Sequence, residues 1–175
     1  MQPTIIENKV FKLLGCVFYG DPFHSAKEWT YENEISKLWV RFGRVLEKNY
    51  NLLNKIFIDS KVGYELHIEP KEFKETKKYY VMVAMEIGNV QEIPLEMYIK
   101  ILPKANYILY TTTVGNKFNE GSYIYNKWIP ENGYQQAFPY IIQGYVEQRY
   151  DPKTGLNNPN NEIDWYIPIK KIELI

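Results

Sequence analysis

Apolar positions along this chain follow two rhythms, one of every second residue and one of threes and fours, and the two alternate in a repeating order. Residues 9–19 are apolar on both faces around Gly15, the pattern of an interior strand with a bulge or a close backbone approach. Ile35, Leu38, Trp39, Phe42, Val45 and Leu46 then recur at three and four, which predicts a helix with one apolar stripe ending near Asn49. Ser25-Ala26-Lys27-Glu28 has the spacing of a capping box and predicts its start. Gly43 interrupts good helix formers, which suggests that this helix approaches a sheet closely there. Residues 62–69 alternate, with Val62, Tyr64, Leu66 and Ile68 on one side and polar groups on the other, as in a half-buried strand. Residues 79–87 read as its neighbour, with Val81, Val83 and Met85 in phase.

The same order returns further along. Residues 105–113, rich in Tyr, Thr and Ile, predict a strand, and residues 119–129 a short helix closed by Pro130 and Asn132-Gly133. Two more strands, 141–150 and 163–169, flank the turn-rich stretches 151–155 and 157–161. Strand, helix, strand, strand therefore occurs twice, at about 9–90 and about 104–171, with residues 92–103 as a crossover loop. The predicted fold is α+β: one domain over 1–175, built of duplicated βαββ units related by a pseudo-twofold axis, with an antiparallel sheet, two helices and a central cleft at the seam.

Composition narrows the function. The 16 Tyr, 8 Phe and 4 Trp are a heavy aromatic load for 175 residues, and aromatic rings fill cores and line ligand pockets alike. The 21 basic and 21 acidic side chains cancel, so no global field attracts nucleic acid or an anionic membrane. The densest charge run, residues 71–78, carries acids among its lysines and reads as a solvated loop. Cys16 stands alone in an apolar run, which excludes an internal disulfide and fits a small buried hydrophobe in a cytoplasmic protein. No apolar run reaches the ~20 residues of a membrane span. His24 and His67 sit in no metal-ligand spacing, and neither a phosphate loop nor a nucleophile elbow is present, so no metal or cofactor is expected.

The candidate binding residues centre on Glu147, a lone carboxylate in the aromatic stretch from Tyr123 to Ile169. A buried acid without a partner is costly, so Glu147 either pairs within the fold, with Arg149 on the same strand face, or meets a ligand cation. Tyr166 faces away from Ile163, Trp165, Ile167 and Ile169, which points it toward the expected cleft. Tyr123 and Trp128 lie on the second helix, as cleft wall or core. Trp39 lies on the stripe of the first helix and Tyr64 on the strand after it, each with core packing as the competing role.

Residues 35–42, 105–111, 125–130, 145–150 and 163–169, in this order and spacing, resemble the GyrI-like effector-binding family, the small-molecule module of bacterial AraC-type and MerR-type regulators that also occurs alone. The resemblance covers residues 9–170. It implies a duplicated βαββ fold whose cleft takes amphipathic, often cationic, aromatic compounds onto an acid, and Glu147 is the matching acid. Gln148, one residue later, stands at the family's usual two-residue distance from an aromatic, here Tyr150. The expected role is non-catalytic binding, as a sensor or sequestering module without its own DNA-binding domain or direct nucleic-acid contact, any transcriptional role requiring a separate DNA-binding partner. Two alternatives stay open: a hydrolase acting on reactive small molecules through Glu147 and Tyr166, and a protein that inhibits a topoisomerase partner.

Overall fold

In the computed structural model, which describes residues 2–25 and 32–172, the elements follow one another as β1 (Thr4–Lys9), β2 (Lys12–Gly20), α1 (Glu34–Lys48), α2 (Tyr50–Leu53), β3 (Val62–Ile68), α3 (Phe73–Thr76), β4 (Tyr79–Glu86), β5 (Tyr98–Ile101), β6 (Ala105–Thr113), α4 (Lys117–Tyr123), a π-helical turn (Ile124–Trp128), α5 (Ile129–Glu131), β7 (Tyr134–Gln136), β8 (Tyr140–Val146), a 3-10 turn (Gly155–Asn157) and β9 (Glu162–Lys171). They gather into two units, Phe11–Leu102 and Met1–Val10 with Pro103–Ile175. Each contains strands and helices with wholly antiparallel pairing, which is the predicted α+β class.

In the first unit, Phe11–Leu102, the strand order is β3-β4-β2-β5. Opposite residues of an antiparallel pair point to the same face, so the register Cys16↔Val83 and Leu14↔Met85 puts all four side chains on one side. Helix α1 lays Ile35, Leu38, Phe42 and Val45 on that side, and these residues share one buried cluster. Each such fully buried side chain contributes about 1.5–3 kcal/mol. The helix begins later than its sequence suggests: Asn33, not Ser25, is the N-cap, its Oδ1 accepting from Ser36 N at 2.8 Å. Residues 26–28 of the expected capping box lie outside the described residues. Gly15 is required by packing, because a Cβ there would collide with Val83 O and with Ala84 directly opposite. Gly43, expected at a close approach, is exposed and would meet nothing within 4 Å.

Strand β3 departs from the half-buried expectation in a way that matters below. Its register Glu65↔Val83 and His67↔Val81 places these two polar side chains on the face that α1 covers. Tyr64 and Leu66 point to the other face, in register with Ala84 and Met82, and both faces are buried there. The stretch 92–103, read as a loop, carries β5, a short strand whose four residues are all exposed.

In the second unit β6 lies between β1 and β9, β8 pairs the other side of β9, and β7 pairs its far end. Ile108, Tyr110, Ile167 and Ile169 form its core with Ile124 and Ile129, and Tyr110 stacks on Trp165 at 6.2 Å. Residues 9–19 are not one strand: β1 ends at Lys9 after Asn8 takes a φ of 55°, and β2 starts at Lys12 in the other unit. Strand β8 stops at Val146 rather than residue 150, because Arg149 N and Tyr150 N both donate to Val146 O and close a turn.

Candidate functional site

The first unit contains a buried carboxylate among aromatic rings, at Glu65. Helix α1 aims Trp39 toward β3, where Gly63 leaves room for the indole: a Cβ at Gly63 would sit 3.0 and 3.2 Å from two of its ring carbons. From there the indole Nε1 donates to Glu65 Oε2 at 2.6 Å. The other oxygen, Oε1, lies 2.6 Å from His67 Nε2, two residues along the same strand face. His67 stacks on Tyr79 with centroids 5.6 Å apart, and Phe73 meets Tyr79 edge-on at 5.9 Å. Phe42 closes the opposite side, edge-on to Trp39 at 6.2 Å.

The electrostatics of this cluster are one-sided. Glu65 is 2% exposed, and among the described residues its ion-pair partner is His67, with no lysine or arginine at contact distance. Two short hydrogen bonds therefore hold a buried acid, one of them from an uncharged indole. Tyr79 feels the result: burial first, then the charges of Glu65, Asp21 and Glu69, push its phenol up to about 12. A desolvated carboxylate walled by rings attracts a cation more strongly than an exposed one, and ring faces add cation–π contacts.

The residues expected to form the site are placed as follows. Trp39 belongs to the cluster. Tyr64, next to Glu65, points to the other face and packs edge-on against Phe11 at 5.8 Å, the core role. Glu147 is exposed in the turn after β8. Arg149, the alternative partner for Glu147, pairs instead with Asp164 at 2.6 Å and Glu162 at 3.0 Å, and Thr111 Oγ1 donates to Asp164 at 2.6 Å. Tyr166 is half-buried on the face of β9 away from the helices, as its alternation implied. Trp128 packs half-buried against the core of its unit. Tyr123 is exposed and lines a cavity of about 190 Å³ with Asn119, Glu120 and Ile124.

The sequence does not single out Glu65, His67 or Tyr79 as members of this cluster. Glu65 and His67 alternate with the apolar residues of β3, a pattern that reads as a solvent face because pairing with Val83 and Val81 is not visible in β3 alone. Cys16 is buried as expected, and that burial raises its thiol pKa. Among the described residues no His, Cys, Asp and Glu group is arranged to hold a metal, and no helix is long and apolar enough to cross a membrane.

Solved structures share this fold. The structure of SAV2435 bound to tetraphenylphosphonium superposes with a TM-score of 0.63 at 15% identity, covering 97% of this chain and 94% of that one. EcmrR in its complex with DNA gives 0.64 at 14% identity, covering 98% of this chain; the present chain spans 58% of that longer protein. A hydrolase from Listeria innocua gives 0.55 at 11% identity, covering 97% and 92%. Comparison with curated proteins found no match. Residues 1–170 match the GyrI-like small molecule binding domain, and the chain belongs to that family.

Proposed function

We propose that this domain binds small hydrophobic cations without altering them, with the Glu65 carboxylate as the anchor and Trp39, His67 and Tyr79 as the aromatic wall. The observation that carries this reading is a buried acid held by an indole and an imidazole, with no lysine or arginine to neutralise it among the described residues. Support comes from SAV2435, whose structure contains tetraphenylphosphonium, and from EcmrR, solved in complex with DNA, which suits a sensing role. Glu65 is preferred to Glu147 on physical grounds. A charge pair at 4 Å gains about 1 kcal/mol in water and about 4 kcal/mol near a protein surface, and Glu147 stands in solvent.

Titration of a fluorescent lipophilic cation against the wild type, Glu65→Gln and Glu147→Gln tests the assignment. Loss of the charge at Glu65 should weaken binding about tenfold or more, equivalent to about 1.4 kcal/mol, while Glu147→Gln leaves affinity unchanged. Equal affinity in the wild type and in a folded Glu65→Gln would refute Glu65 as the anchor.

A further inference from the structure

Glu65 can balance one positive charge, and the structure already supplies a group able to become that charge. His67 Nε2 lies 2.6 Å from Oε1, with the two side chains 12% and 3% exposed. An ionised carboxylate accepts in this contact, so the imidazole carries a proton on Nε2 when neutral, and taking up a second proton at Nδ1 makes it a cation without breaking the bond. We propose that a ligand cation enters this site in exchange for that second proton of His67, so that loading releases one proton to solvent and weakens as pH falls. The proposal rests on the reading of Glu65 as the cation anchor.

The surroundings favour exchange over simple addition. Two cations against one buried carboxylate leave a net charge that is expensive to desolvate. Among the described residues, the other ionisable groups around His67 supply no second negative charge at close range. Tyr79, stacked on the imidazole from β4, remains a neutral phenol at physiological pH because its pKa is pushed up to about 12. From α1 the contact is the uncharged indole of Trp39. Asp21 and Glu69 act on Tyr79 through space, but both are exposed and screened by water. The bound cation and the imidazolium therefore compete for Glu65.

The direction follows from linkage. Where the empty site binds a proton that the loaded site lacks, affinity rises with pH by up to about tenfold per unit and levels off once His67 is neutral. Tetraphenylphosphonium is the suitable probe, since its charge does not titrate. Calorimetry at about pH 5 and about pH 8, the span of histidine titration, in two buffers of different ionisation heat, reads both affinity and protons released. The expected result is weaker binding at the acid end with release approaching one proton per ligand, and a flattened pH profile in His67→Gln. Flat wild-type affinity with no proton release, while Glu65→Gln still weakens binding, overturns the exchange and leaves the anchor standing. Unchanged affinity in Glu65→Gln overturns the anchor and the exchange with it. If His67→Gln does not fold, the two-buffer measurement on the wild type decides alone.

Discussion

Replacing Trp39 by Phe keeps an aromatic ring on α1 but removes the only donor that reaches Glu65 Oε2 from the helix, at 2.6 Å. Glu65 is 2% exposed, so water does not easily take the donor's place. A hydrogen bond to a charged group is worth about 1.5–3 kcal/mol, and the smaller ring forfeits packing beside Gly63 worth roughly 1 kcal/mol more. Trp39→Phe should therefore destabilise the protein by about 2.5–4 kcal/mol, read as a lower urea midpoint at unchanged slope. The packing share and the hydrogen-bond share separate in a double-mutant cycle with Glu65→Leu, which leaves no buried acceptor to satisfy. In that background Trp39→Phe should cost only the packing, roughly 1 kcal/mol, leaving a coupling energy of about 1.5–3 kcal/mol. Additive effects of the two substitutions would refute the idea that the indole holds the acid in place.

Three further outcomes follow from other contacts. Arg149→Met leaves the buried carboxylate of Asp164 without its cation; because Arg149 itself is 38% exposed, the cost should fall below that of a fully buried pair, at about 1–3 kcal/mol in chemical denaturation. The two glycines of the first unit should behave oppositely: Gly15→Ala forces β2 and β4 apart at Val83 O and should abolish soluble expression, whereas Gly43→Ala meets open space on an exposed helix face and should add about 0.5–1 kcal/mol of stability. Tyr79 is neutral when protonated and its folded-state pKa is raised, so its contribution is intact below the ordinary tyrosine range near pH 10 and is lost as pH climbs toward 12. Thermal melts of Tyr79→Phe across this alkaline window should show a shallower fall than those of the wild type.

Elements whose apolar residues face a helix were legible in the sequence. The stripe Ile35, Leu38, Phe42 and Val45 is the buried side of α1, and β6 runs over residues 105–113 as its Tyr, Thr and Ile content implied. Boundaries set by one local hydrogen bond were not legible. Asn33 caps α1 although Ser25 has the better motif, and alternation through Tyr145, Glu147 and Arg149 continues past the point where two amides turn back to Val146 O. Strand β5 is short, exposed at all four residues and held by pairing with β2, so neither its length nor its pattern marks it. The cluster around Glu65 was not legible in the sequence. An acid's burial depends on its cross-strand neighbours, and Glu65 opposite Val83 is a long-range fact that no local pattern discloses.

The indole of Trp39 is bonded to the very carboxylate proposed to receive the ligand, and this gives the protein an optical reporter of its own. Indole emission responds to the field and hydrogen bonding at its N–H, so a positive charge arriving beside Glu65 should alter the colour or yield of Trp39 fluorescence without any dye. With the other three of the chain's 4 tryptophans replaced by Phe, one emission band would report occupancy of the site in real time.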